Sequence, residues 1–469
     1  MVDISSPDGF SGNGFSGDTI FALATPQGRS AVQIIRISGP GSARILRKMT
    51  GAVPDPRQAH FTALRFDGDN STVIDQALVL FFKTPASATG EDTAELHLHG
   101  SPVLGQMVME WLETQPRMRL ADRGEFTRRA FLNGKVNLDQ AEGIADIIDA
   151  DTIAQHQQAM RQLDGALSAK SESWRGAIIA LSGQLEALID FADEDLPQDV
   201  ADHVASGIAA VLAEMEAELA SSRQGLIQRD GVQVAIVGRP NAGKSTLLNH
   251  LIGDDRAIVS PEAGTTRDLV QVALDIDGVA VHLTDTAGIR FGADQGVGAV
   301  EEEGVKRALR AASDAHLVLM LIDGNDDDPA DVFAQLRAEL PADMADGPDL
   351  QPIITKADAI TPGRVLPEWP LISVQTGLGM VELDQLIRRK LAELTPHDEA
   401  PVLTRQRHVS AVRDARDALD RAGAISLQDA PELLAEEFRL AAHALGRITG
   451  RVDVEDVLDH IFSSFCIGK

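Results

Sequence analysis

The chain has 469 residues, 44% of them apolar and 24% charged, so it can bury large cores, and about three domains of ~150 residues fit its length. A formal charge of -29 repels phosphate backbones at long range, so a nucleic-acid substrate requires a local basic patch or a partner protein to hold it; the plainer reading of the charge is solubility. The single cysteine, Cys466, excludes an intrachain disulfide framework and points to a reducing compartment.

Residues 1–17 carry no basic stretch followed by an apolar core, and read as a disordered tail rather than a signal peptide. The longest apolar runs, 78–82 and 317–322, are strand-length and too short to span a bilayer. A cytoplasmic protein without membrane contact is the expectation. Residues 18–134 mix strand-like segments (AVQIIRISG, QALVLFFK, TAELHLHG) with helix-like ones (PGSARILRKM, SPVLGQMVMEWLE), which predicts an α+β domain. From 135 to 230 the pattern turns helical. Trp174, Ile178, Leu181, Leu185 and Leu188 fall on one helical face, as in the core of a bundle, and an acidic, proline-containing stretch interrupts at 190–199. Residues 231–393 alternate strands and helices, the pattern of an α/β domain with a helix-covered sheet. After HDEAP at 397–401 the helices return, with Leu433, Leu434, Phe438, Ala441, Leu445 and Ile448 as a second stripe. The economical architecture is a discontinuous α-helical domain, 135–230 and 394–469, with the α/β domain inserted into it.

The chemistry concentrates in the insertion. GRPNAGKS at 238–245 follows the strand VQVAIV and opens the helix STLLNHLI, the setting of a P-loop. Gly238 and Gly243 let the backbone turn its amides inward, and the helix N-terminus adds partial positive charge. Asn241, Ala242, Gly243, Lys244, Ser245 and Thr246 are thus expected around phosphates, with Lys244 reaching the β and γ oxygens and Ser245 holding Mg²⁺. GTTRD at 264–268 offers Thr266 as a second Mg²⁺ ligand. A hairpin turning at Asp277-Gly278 leads into DTAG, where Asp285, Thr286, Ala287 and Gly288 approach metal and γ-phosphate. TKAD at 355–358 supplies Asp358, a carboxylate able to accept from guanine N1 and N2, a donor pair that adenine lacks. Ser373 and Val374 open a loop that backs the base. The set resembles a translation-factor GTPase domain. It departs at Thr355, where Asn is usual; Asp358 is kept, so guanine specificity is expected to survive.

Ile289, just after the third motif, cannot orient water as the glutamine of many small GTPases does. Arg267 and Arg290 lie nearby, yet no arginine finger in cis is evident. A bound monovalent cation is one substitute, with the carbonyl oxygen of Asn241 as a ligand. Glu301, Glu302 and Glu303 open the next helix; a carboxylate there either orients water or reflects the general preference of acids for helix N-termini.

From Thr19 to Lys469 the chain resembles the MnmE (TrmE) family of bacterial GTPases that modify the tRNA wobble uridine. GRPNAGKS, GTTRD, DTAG and the terminal FCIGK carry the resemblance, with TPQGRSAVQIIRISG, TGEDTAELHLHG and GEFTRRAFLNGKVNLDQAE. It implies a multidomain fold: an N-terminal folate-binding-like and dimerisation domain, the helical domain, and the inserted P-loop domain. It implies a homodimer, K⁺-stimulated hydrolysis with K⁺ held by Asn241, Ser260, Glu262 and Thr265, and Glu301 positioning water. Lys356 joins the base-side set. It implies a 5-formyl-tetrahydrofolate-like one-carbon donor at Arg36, Glu95, Lys135 and Lys469, with Cys466 nearby as a catalytic candidate; read without the family, Cys466 is a small buried apolar residue. It implies a flavin-dependent partner, MnmG, acting with the chain on carbon 5 of uridine 34. Arg117, Arg119, Arg123, Arg128, Arg129 and Lys135 form either a patch that helps to hold tRNA or a solvated face. His97 and His99 share a strand face, and two histidines without a third ligand do not make a metal site. The competing reading is a GTPase switch in ribosome assembly.

Overall fold

A computed structural model describes residues 17–66, 72–190, 198–253, 271–285, 311–340, 349–395, 401–427, 430–452, 455–463 and 465–468. The chain divides into two compact units. One comprises 1–145, 163–176 and 442–469, the other 146–162 and 177–441.

The first unit is built on six strands: β1 (Thr19–Leu23), β2 (Val32–Ser38), β3 (His60–Arg65), β4 (Val73–Phe82), β5 (Thr93–His99) and β6 (Met118–Leu120). They lie in the order β3-β4-β5-β2-β1-β6, antiparallel throughout except for the parallel β1–β6 pair. Alternation along β5 sends Ala94, Leu96 and Leu98 into a core that they share with Ile35, Ile37, Val79, Leu46, Val108 and Leu112, closed by α1 (Ser42–Thr50) and α2 (Pro102–Glu113). Glu95, His97 and His99 therefore face the other way. On that side α3 (Glu125–Leu132) buries Phe126 against Ile20 and Ala22 of β1. The central residues there, Ile34, Arg36, Leu78, Leu80, Glu95 and His97, are only half-buried.

The expected arginine patch is corrected by this unit. Arg129 is fully buried, its guanidinium held by Asp18 (3.0 Å), Glu91 (3.1 Å) and Glu125 (2.9 Å). Arg119 pairs with Asp18 at 2.6 Å and with Glu125 at 2.5 Å, and Arg128 with Asp459 at 3.2 Å. Neighbouring acids neutralise three of the six basic residues. Burial pushes the carboxyls of Asp18 and Glu125 up, but the two guanidiniums outweigh it and hold both below their ordinary values.

The C-terminal residues join the same unit. Ile467 bridges Arg123, and Gly124 N donates to Cys466 O at 3.4 Å. Leu458, Ile461, Phe462 and Phe465 pack on Leu138 and Ala141 at the start of α4 (Leu138–Asp149). Cys466 itself is exposed, against its reading as a buried apolar residue, because its neighbour Phe465 takes the inward position.

The second unit holds five strands: β7 (Val232–Gly238), β8 (Gln271–Ile276), β9 (Val279–Asp285), β10 (Leu317–Asp323) and β11 (Asp349–Thr355). Their order is β11-β10-β7-β9-β8, parallel except for the β8–β9 hairpin. That hairpin turns at Asp277 (φ 55°) and Gly278 (φ 84°), two successive left-handed residues as a two-residue turn requires. Every apolar residue of β10 from Leu317 to Ile322 is fully buried, as expected of a strand covered on both faces.

Helices of this unit include α5 (Ile153–Leu163), most of α6 (Ala166–Asp190), α7 (Gln198–Asp230) and Gln406–Gly423. Trp174, Ile178, Leu181 and Leu185 on α6 are buried as their spacing predicts. In Pro431–Thr449, Leu434, Phe438, Ala441, Leu445 and Ile448 are buried, but Leu433 is exposed: one residue before Leu434, it is rotated about 100° off the stripe. The segment ahead of α5 and α5 itself grip both stems of the inserted sheet. Asp146 Oδ1 accepts from Arg229 Nε at 3.0 Å and from an Arg405 terminal nitrogen at 2.6 Å. Gln155 Nε2 donates to Arg229 O, and Thr404 Oγ1 to Gln162 Oε1, both at 2.9 Å. Among the described residues no helix is long and apolar enough to cross a membrane.

Candidate nucleotide site

β7 ends at the point where the connections diverge, toward β9 on one side and β10 on the other, which is where open α/β sheets bind ligands. Gly238 closes β7 against β10; a Cβ there would lie 2.6 Å from Leu321 O, so only glycine fits. Asn241 (φ 64°) and Gly243 (φ 96°) turn the loop through left-handed conformations into α8 (Lys244–Gly253). The Lys244 ammonium is drawn back over this loop, donating to Gly238 O at 2.9 Å and Arg239 O at 3.0 Å. Ser245 and Thr246 are exposed at the start of the helix.

Thr355 ends β11 and is buried. Its hydroxyl oxygen lies 2.8 Å from Ala242 O in the loop and 3.2 Å from Ile322 O in β10, one proton serving both carbonyls. The hydroxyl thus ties β11 and β10 to the P-loop. Beyond it Lys356 takes a left-handed conformation (φ 58°) and reaches Asp323 Oδ2 at 2.6 Å. Burial pushes the Asp323 carboxyl up, yet Lys356 and the Asn325 amide outweigh it and hold it below its ordinary value. Asp358 accepts a hydrogen bond from Ser373 Oγ, whose oxygen accepts in turn from Thr376 N at 3.3 Å. Ala357 N donates to Ile372 O at 3.1 Å, fastening one loop to the other.

Together these residues line a cavity of about 300 Å³ formed by Gly243, Thr246, Leu247, Thr355, Lys356, Asp358 and the 372–375 loop. Seven residues of the expected base-side and helix-start set, Gly243, Thr246, Thr355, Lys356, Asp358, Ser373 and Val374, meet at this one pocket. Asp323, which anchors Lys356, was missed in the sequence, although an acid ending an apolar strand is the same signal that marks Asp285. Leu247, Ile372 and Gln375 were missed too, and no motif announces them. β9 ends at Asp285, paired in register with Ile236 of β7. Ser260, Glu262, Thr265, Thr266, Thr286, Ala287, Gly288, Glu301 and Lys469 lie outside the described residues.

In the first unit Arg36 and Glu95 are cross-strand partners, with Nε to Oε1 at 3.1 Å. Lys135 turns instead to Pro85 O at 2.9 Å. His97 pairs with Glu95 and His99 with Asp75, at 3.2 and 2.7 Å.

Two family models match the chain: the TrmE N-terminus over residues 19–135 and the MnmE helical domain over 138–466. The tRNA modification GTPase MnmE of Rhodospirillum rubrum is 45% identical over 468 residues, covering 96% of this chain and 99% of the relative. The chain belongs to the MnmE family. The MnmE proteins of Bradyrhizobium sp. and Parvibaculum lavamentivorans are 46% and 44% identical, each again covering 96% of this chain and 99% and 100% of the relative. At 96% coverage of this chain the match to MnmE spans both units.

Proposed function

We propose that the chain is a K⁺-stimulated GTP hydrolase which, as a cytoplasmic homodimer and with the FAD-dependent protein MnmG, modifies carbon 5 of uridine 34 in tRNA using a one-carbon folate. The observation that carries the GTPase part is the pocket where Asp358 is steadied by Ser373 and the base side is tied to the P-loop through Thr355. A carboxylate held there accepts two guanine donors and rejects adenine, which presents none at that position. Lys244 already rests over the P-loop carbonyls, and transfer of its bonds to β and γ oxygens costs it no desolvation. Ser245 and Thr266 would hold Mg²⁺. Asn241, Ser260, Glu262 and Thr265 would hold K⁺, whose charge would stand where other GTPases use an arginine. Asp285, Thr286, Ala287 and Gly288 complete the phosphate side, and Glu301 would accept a hydrogen bond from the attacking water.

The folate would lie on the open face of the six-stranded sheet, where Glu95 would offer acceptors to a pterin; Arg36, Lys135 and Lys469 would offer cations to its glutamate tail, and Cys466, which is exposed, would stand near. The domain limits we assign are 18–134, 135–230 with 394–469, and 231–393. Because acids neutralise much of the basic cluster in the first unit, MnmG is the better source of tRNA contact. The test is nucleoside analysis of tRNA from cells lacking the protein. Loss of the C5 substituent at uridine 34 is expected; unchanged wobble nucleosides would overturn the reading. For the cation, the GTPase rate should rise when K⁺ replaces Na⁺, and equal rates would remove the K⁺ site.

A further inference from the structure

The folate face holds a titratable side chain to which no role has been assigned. His97 lies two residues from Glu95 on the same face of β5, between its cross-strand partners Ile34 and Leu78, both half-buried. Its Nε2 is 3.2 Å from Glu95 Oε2, while Arg36 occupies Oε1 from Nε at 3.1 Å and a terminal nitrogen at 3.0 Å. A carboxylate only accepts, so the imidazole must donate from Nε2. In the neutral ring the proton on Nε2 leaves a lone pair on Nδ1. Nδ1 meets no hydrogen-bond partner among the described residues, and His97 keeps 24% of its side-chain surface exposed. The row Arg36–Glu95–His97 is therefore graded: the guanidinium fixes the carboxylate, the carboxylate fixes the tautomer, and the tautomer leaves Nδ1 as an acceptor. Flanking Ile34 and Leu78 limit competing water and give a flat heterocycle apolar surface to lie on.

We propose that His97 is a specificity-determining residue of this face, accepting through Nδ1 a hydrogen bond from a ring N–H of the bound folate beside the donors read by Glu95. The assignment rests on the folate reading and adds the preference for a reduced ring, which carries ring N–H groups that its oxidised form lacks.

Calorimetry of the full chain with 5-formyl-tetrahydrofolate and with folic acid tests it, using three variants whose folding is checked by thermal melting. Asparagine places an amide oxygen near the Nδ1 position, whereas glutamine reaches the Nε2 position. His97→Asn should bind the reduced folate within about threefold of wild type. His97→Ala and His97→Gln should each weaken it roughly tenfold and lose the preference over folic acid. Full rescue by His97→Gln with failure of His97→Asn would mean that His97 serves only to hold Glu95, and would overturn the assignment. Unchanged affinity in His97→Ala would overturn it too, leaving the folate reading intact. Absence of heat with the wild-type chain would overturn the folate reading itself and His97's role with it.

Discussion

The hydroxyl of Thr355 lies 2.8 Å from the carbonyl of Ala242, joining two residues 113 positions apart across the nucleotide pocket. Where asparagine is usual, the threonine hydroxyl here reaches the P-loop and also touches Ile322 O. Replacing Thr355 with valine keeps the shape and removes the hydroxyl donor. Two buried carbonyls then lose a partner, at about 1–3 kcal/mol. Thr355→Val is expected to melt earlier and to bind a fluorescent GDP analogue about 10-fold more weakly. Affinity equal to wild type would show that the loop needs no such tie.

Asp358 is where base identity is decided. Asp358→Asn turns one acceptor into a donor facing the guanine donors. Its GTP affinity should fall at least about 100-fold, and xanthosine triphosphate, which presents an acceptor in place of the guanine amine, should bind better than GTP. Competition titrations with the two nucleotides check this, and a retained preference for GTP would remove Asp358 from base recognition.

The acid limb of stability should depend on Asp18 and Glu125. Both are held below their ordinary values of 3.8 and 4.5, so the unfolded chain binds their protons more readily than the folded one. Their contribution is complete above about pH 5 and is lost as the pH falls through and below 4. Glu125→Gln should flatten that limb in melts between pH 3 and pH 6. It should also cost about 3 kcal/mol at neutral pH, because the fully buried Arg129 keeps its charge with one partner fewer.

Gly468 (φ 99°) packs on the end of β1, where a Cβ would lie 2.2 Å from Leu23 O. Gly468→Ala carries both a conformational penalty and this overlap, about 2–3 kcal/mol together. The variant should release its last residues to carboxypeptidase faster than wild type; an unchanged release rate would mean that the tail is not seated there.

Much of the insertion was legible because its signals are local. Gly238 and Gly243 bracket a turn between an apolar run and a helix, and Asp277-Gly278 reads as a hairpin from two residues. What stayed hidden depends on distant partners. Arg119 and Arg129 read as surface cations because Asp18 stands 101 and 111 residues away from them and Glu91 38 residues from Arg129. Leu433 read as core because periodicity fixes a helical face only to within one residue. Cys466 read as buried because its residue type usually is, while the terminal turn gives the inward place to Phe465. The Glu95–His97 pair stayed hidden: alternation put His97 and His99 on one strand face, but only coordinates show that a His97 nitrogen meets a Glu95 oxygen.

The grip of Asp146 on Arg229 and Arg405 also bears on how such a chain is assembled. Because one oxygen atom touches the last turn before β7 and the first residues after the excursion, the two ends of that excursion are neighbours. A whole catalytic lobe can thus hang from a helical scaffold without stretching it, and a short bridge across 231–400 would close the gap. Such a shortened chain should still fold its helices, as a socket from which the engine has been lifted.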